Sequence, residues 1–161
     1  MGFDAIDVVA HSIKFLFFFM IGVVTWTALE YKTHRFDLHD HDNIKDFMTW
    51  DKIETHHLHH MFTNQELIIA IPLWKYLYIS VAIISVGCKL VGIFQTMAFS
   101  SGMTLTMIFY DTMHFWFHFG GDFKFKPFQV LKEKHMKHHY RDHNRDFGVS
   151  TSFWDYVFDT A

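Results

Sequence analysis

The chain has 161 residues, half of them apolar and 19% aromatic, with 20 Phe and a formal charge of −3. One domain is all this length requires, and so much ring surface calls for lipid or a partner to cover it. The small, interspersed charge excludes a polyanion-binding surface, so no nucleic-acid partner is expected. A single cysteine, Cys88, excludes an intrachain disulfide and a cysteine-based metal site, leaving His and carboxylate as the available ligands.

The first predicted element is a transmembrane helix over residues 8–29. Phe15 to Leu29 carries no charge, and the segment approaches the roughly 20 residues needed to cross a bilayer. A cleaved leader fits less well, because Lys14 lies inside the segment and no small-x-small site follows it. Histidines begin directly afterwards, at His34 and His39, and continue in His56-His57-Leu58-His59-His60. Two further apolar segments, 67–86 with only Lys75 inside it and 90–110 with no charge, predict a membrane hairpin. Gly87, Lys89 and Gly92 suit its turn, and Pro72 should bend its first helix. His114 and His118 close the third helix, and His135-Met136-Lys137-His138-His139 follows. Of the 14 Lys and Arg, four fall between Glu30 and Glu66 and seven after His114, which places both His-rich stretches on the cytosolic side. The expected architecture is therefore all-α and integral to the membrane. About three transmembrane or membrane-embedded helices would carry a cytosol-side helical cap, formed by 30–66 and 114–161.

Helix geometry places residues at i, i+3 and i+4 on one side, so His56, His59 and His60 can converge, as can His135, His138 and His139. His114 and His118 form a third set. His34 and His39 stand five apart, about 140° around a regular helix, and predict a local unwinding. Ten imidazoles give about five ligands to each of two metals, a number that fits octahedral iron with one position left for oxygen. Zinc can occupy the same cage, although a tetrahedral ion needs fewer ligands. His11, His41, His57 and His143 read as ordinary surface or core histidines. Asp37, Glu54, Asp111 and Asp155 are candidates to accept the second ring N–H of a ligand. Asp111 is favoured because an unpaired carboxylate one turn from His114 on an apolar helix would be costly.

Three stretches carry a family likeness: Tyr110-Asp111-Thr112-Met113-His114-Phe115-Trp116-Phe117-His118, His135-Met136-Lys137-His138-His139-Tyr140, and Phe147-Gly148-Val149-Ser150-Thr151-Ser152-Phe153-Trp154-Asp155. They resemble the fatty acid 2-hydroxylases that act on sphingolipids, within the fatty acid hydroxylase superfamily. The likeness runs from His34 to the C-terminus and covers all ten histidines. It implies one hydroxylase domain over 1–161 with a di-iron site that inserts oxygen at the carbon next to an acyl carboxyl or amide, in a free acid or a ceramide. It also implies an external cytochrome and reductase as electron donor and the endoplasmic reticulum as location. His57 and Asp146 stand where the family commonly has Gly, Phe119 stands where a further His is frequent, and the expected N-terminal part has one membrane helix fewer than the family pattern. Phe115, Trp116, Phe117 and the methionines of the third helix are candidates to line an acyl channel. The competing expectation is an accessory subunit that keeps the metals for stability alongside other membrane subunits, for which the mitochondrial inner membrane would be suitable.

Overall fold

The computed structural model describes residues 4–39, 55–63 and 73–161, and these are helical and irregular, with no strand among them. Helix α1, Ala5–Lys32, opens on Asp4, whose carboxylate accepts the Asp7 N–H at 2.8 Å and so satisfies a donor left over by the first turn. The helix then widens into a π turn over Thr33–Leu38 and ends in a bend at His39. This is the unwinding that the five-residue spacing demanded. An i→i+5 turn brings residues five apart toward the same side, and the His34 and His39 rings stand 5.1 Å apart.

A short helix, α2, covers 55–61, and α3 follows over Leu73–Leu90. The segment 67–72, with Pro72 and its expected bend, lies outside the described residues. Gly87 and Lys89, expected in the hairpin turn, belong instead to α3, and the chain turns only at Val91 and Gly92, where Gly92 has φ +92°. The helix continues through Gly87, and the left-handed backbone of the turn falls to the second glycine, Gly92. Helix α4, Ile93–Phe119, therefore begins three residues later than expected and runs past the apolar segment to carry His114 and His118. Helix α5, Lys126–Tyr140, starts with a proline in its first turn, where the missing N–H costs nothing. Helix α6 is the five-residue Phe153–Val157.

By its contacts the chain divides into one unit of Met1–Trp26 with Ile71–Ile108 and another of Thr27–Ala70 with Phe109–Ala161. In the first, α3 and α4 run antiparallel, with Gly87 against the Thr96 side chain and the Tyr76 hydroxyl donating to the Met107 carbonyl at 3.4 Å. α1 crosses α4 backbone to backbone: a Cβ on Gly22 would overlap the Phe99 carbonyl, and one on Gly102 would overlap that of Phe19. Small residues that let helices approach this closely are how helices pack when burial of apolar side chains offers no preference over lipid. The outward positions of the first unit, among them Ile6, Val9, Ile13, Leu16, Tyr78 and Ile93, remain largely exposed and apolar. By length and composition one described helix, Ala5–Leu38 taken with its π turn, suffices to cross a membrane.

In the second unit Met113, Phe117 and Val149 form a core closed by Phe109, Tyr110, Phe123, Phe128, Leu131 and Met136. The C-terminal segment is tied to the end of α1 by polar contacts. Glu30 accepts the N–H groups of Val149 and Ser150 at 2.7 and 2.9 Å, Tyr31 bonds the Thr160 hydroxyl at 2.9 Å, and the Trp154 indole donates to Thr27 at 3.1 Å.

The glycine crossing generates a prediction. Gly102→Val should lower the thermal stability of the detergent-solubilised protein by about 1–3 kcal/mol through overpacking. Gly121→Ala, with nothing within 4 Å of its added methyl, should leave the melting transition in place.

Candidate metal centre

All ten predicted histidines are described, and they gather into two groups of five. His34, His39, His56, His60 and His138 form the first; His59, His114, His118, His135 and His139 form the second, each with ligand nitrogens within 4.8 Å of one another. The expectation that each His-x-x-His-His triplet converges on one metal is corrected here. On α2, His56 and His60 enter the first group and His59 the second; on α5, His135 and His139 enter the second and His138 the first. The reason is angular. Residues i+3 and i+4 are about 100° apart around a helix, so one ion cannot take both, and the i+3 ring turns to the neighbouring group. His114 and His118, at i and i+4 on α4, do share a group.

Within each group the Nε2 atoms face one another. In the first, His56 and His39 are 2.9 Å apart, His60 and His56 3.0 Å, and His138 and His39 3.1 Å. In the second, His114 and His59 are 3.1 Å apart and His118 and His135 3.0 Å. With metal–imidazole bonds of about 2.1 Å, nitrogens at right angles stand about 3.0 Å apart, against about 3.4 Å at the tetrahedral angle. These five separations lie nearer the right-angle value than the tetrahedral one.

Two rings of the first group have their tautomer fixed. The His34 Nδ1–H donates to the Phe147 carbonyl at 2.5 Å and the His138 Nδ1–H to the Arg145 carbonyl at 2.7 Å, so in each neutral ring Nε2 is a bare lone pair. The His138 lone pair points at another imidazole nitrogen 3.1 Å away, an arrangement that a cation satisfies. In the second group Nδ1 of His59, His114, His135 and His139 has no hydrogen-bond partner among the described residues. Burial keeps these imidazoles neutral. It lowers His59 to about 3, His60 to about 2, and His118 and His138 to about 4, and it takes His56, His114, His135 and His139 well below the usual value. Except at His118, neighbouring histidines push the same way after burial, and at His138 the Arg145 carbonyl opposes it ahead of the smaller contribution of His143.

Of the histidines read as ordinary residues, the three that are described, His11, His57 and His143, fall outside both groups. His11 is exposed and bonds the Asp7 carbonyl, while His57 and His143 are exposed and line a cavity of about 320 Å³ together with His39, His56 and His60. His41 and Glu54 lie outside the described residues. Asp37 pairs with Lys32 at 2.7 Å. Asp111 is half-buried, and it is not the partner of His114 Nδ1, which has none among the described residues. Asp155 is buried and accepts the N–H groups of Phe147 and Gly148 at 2.8 and 3.0 Å and the Thr160 hydroxyl at 2.9 Å, holding the loop whose carbonyl orients His34. Gly148 is required in that loop because a Cβ would strike the Thr151 carbonyl and the Asp155 carboxylate. Of the expected channel residues, Phe117 is core, whereas Phe115 and Trp116 are exposed. Reading spacing alone missed Glu30 and the two carbonyl acceptors. A lone acid closing an apolar helix was the signal available for Glu30; backbone carbonyls leave no trace in residue type.

A pH dependence follows. Each folded-state value lies below the ordinary 6.5, so the unfolded chain binds more protons than the folded one as pH drops. Burial raises Glu30 to about 7 and also raises Asp155, which act the opposite way, but the histidines outnumber them, so the stability of the metal-free protein should fall as pH drops from 6.5 toward 4. Melting in detergent between pH 7.5 and 5 checks this, and a transition that is flat or rises on acidification would contradict it.

Residues 19–160 match the family model for fatty acid hydroxylase. The chain is 31% identical over 152 residues to dihydroceramide fatty acyl 2-hydroxylase FAH2 of Arabidopsis thaliana, covering 86% of this chain and 58% of that protein. It is 30% identical over 149 residues to ceramide very long chain fatty acid hydroxylase SCS7 of Saccharomyces cerevisiae, and 31% over 145 residues to human fatty acid 2-hydroxylase. The matches cover 89% and 88% of this chain and 38% of each relative. A solved structure of full-length scs7p in which only the hydroxylase domain is visible superposes with a TM-score of 0.78 at 27% identity, over 96% of this chain and 56% of that one. The chain thus spans roughly two fifths to three fifths of the length of these relatives. It belongs to the fatty acid hydroxylase family.

Proposed function

We propose that the chain is a membrane di-iron oxygenase that hydroxylates the carbon adjacent to the carboxyl or amide of a fatty acyl chain, free or in a ceramide. The observation that carries this reading is the pair of five-histidine groups with Nε2 separations near 3.0 Å. The names of the relatives, which specify fatty acyl and ceramide hydroxylation, supply the substrate class. His34, His39, His56, His60 and His138 would hold one iron, and His59, His114, His118, His135 and His139 the other; zinc could take the same places. When bound, the irons supply activation of dioxygen with two electrons from an external cytochrome and reductase.

The chain's own residues do three things. The Arg145 and Phe147 carbonyls orient His138 and His34, so that two nitrogens of the first site are aimed before a metal arrives. Burial keeps the rings neutral and ready to bind. The rings of Phe147 against His34, His39 and His138, and of Phe117 against His135, exclude water beside the nitrogens. The cavity lined by His39, His56 and His60 of the first group and by His139 of the second gives the centre an approach from outside, while four of the five rings in the second group are buried. The exposed apolar positions of the first unit suit a bilayer, and the endoplasmic reticulum is the location we propose.

The deciding experiment supplies purified protein, loaded with ferrous iron, with a reductase system, dioxygen and either a free fatty acid or a ceramide. The expected result is a 2-hydroxy acyl product that incorporates oxygen from dioxygen and is lost in His138→Ala and His118→Ala. Iron-loaded protein that yields no product from either substrate would overturn the enzymatic reading and leave a metal-stabilised accessory subunit in its place.

A further inference from the structure

Asp146 occupies a position where its residue type is unexpected. Its backbone is left-handed, with φ +56°, a conformation that favours glycine, and its carboxylate is 1% exposed. A buried carboxylate must be paired to be tolerated. Lys137 donates to Oδ2 at 3.0 Å, and the Lys134 ammonium lies 3.1 Å from Oδ1, within ion-pair reach though not aligned as a hydrogen bond. The Asp146 N–H is held as well, donating to the Thr160 carbonyl at 2.7 Å.

Its two chain neighbours are the residues that orient the first histidine group. The Arg145 carbonyl accepts from His138 and the Phe147 carbonyl from His34, and those two rings, from α5 and the end of α1, are 4.7 Å apart. Lys134 and Lys137 lie on α5, which carries His138 and also His135 and His139 of the second group, but the loop they hold touches only the first. The ion pairs therefore fasten the loop to the helix at the one residue between the two acceptors. No comparable carbonyl serves His59, His114, His135 or His139 among the described residues.

We propose that Asp146, clamped by Lys134 and Lys137, is a positioning residue for the first metal alone: it fixes the Arg145 and Phe147 carbonyls that aim His138 and His34. The proposal rests on the two-metal reading above, and its test separates the two. Full-length protein is loaded with cobalt(II), its metal content is measured, and release into excess chelator is followed by the ligand-field absorption. Asp146→Gly suits the left-handed backbone and removes the anchor, so the fold is kept. It should speed release of one equivalent at least about tenfold, as loss of an outer partner commonly does, with the other equivalent changed by less than about twofold. Asp146→Asn, which retains an acceptor for Lys137, should recover part of that loss. Unchanged release of both equivalents, or equal acceleration of both, would overturn the assignment while leaving the two metals standing. Uptake of fewer than two equivalents by the unaltered protein would overturn the metal reading and this one with it.

Discussion

Ten imidazoles gathered into two groups of five, with the ligand nitrogens of each group within 4.8 Å of one another, cannot all be protonated. The second unit is arranged around that constraint. His138 shows it most directly: its Nδ1–H is committed to a carbonyl, so its Nε2 has only a lone pair to offer another ring nitrogen 3.1 Å away. Protons could relieve the conflict, but burial opposes them at nearly every ring, and metal cations relieve it without leaving the rings charged. The separations near 3.0 Å fit ions with nitrogens at right angles, which leaves room beyond five ligands for a sixth.

The framework that enforces this crowding is polar and assembled from distant parts of the sequence. The π turn after α1 brings His34 and His39 to one side, and Glu30 and Tyr31, just before it, fasten the C-terminal segment against the same helix end. Asp155 and Gly148 shape the loop between, so the carbonyls of residues 145 and 147 meet ring N–H groups. Because α2 and α5 each send rings to both groups, shifting either helix would disturb both sites. Each group is thus built from three chain regions, and the two interleave along the sequence at α2 and α5.

Much of this was legible from residue spacing. Two His-x-x-His-His triplets, one i, i+4 pair and a five-residue pair that no regular helix accommodates identified the ten rings and the unwinding at His34. Spacing could not divide the triplets correctly, since i+3 and i+4 both count as one face in a pattern argument while differing by about 100° in direction. It could not foresee that the helical run would pass Gly87 and turn only at Gly92, because glycine marks where the backbone is free to turn, not where it does. Asp111 was the carboxylate singled out by its apolar neighbourhood, yet the acids that order the loop are Glu30 and Asp155, which act on backbone N–H groups far away in sequence. Tertiary contacts of that kind have no local period to read.

The central claim is that the two histidine groups are two separate metal sites of five imidazoles each. X-ray absorption on the iron-loaded protein, combined with elemental analysis, tests it most directly. The account predicts two irons per chain with a nitrogen-dominated shell of five or six light atoms at about 2.1 Å and the multiple-scattering signature of imidazole. One iron per chain, or a four-coordinate shell, would contradict it.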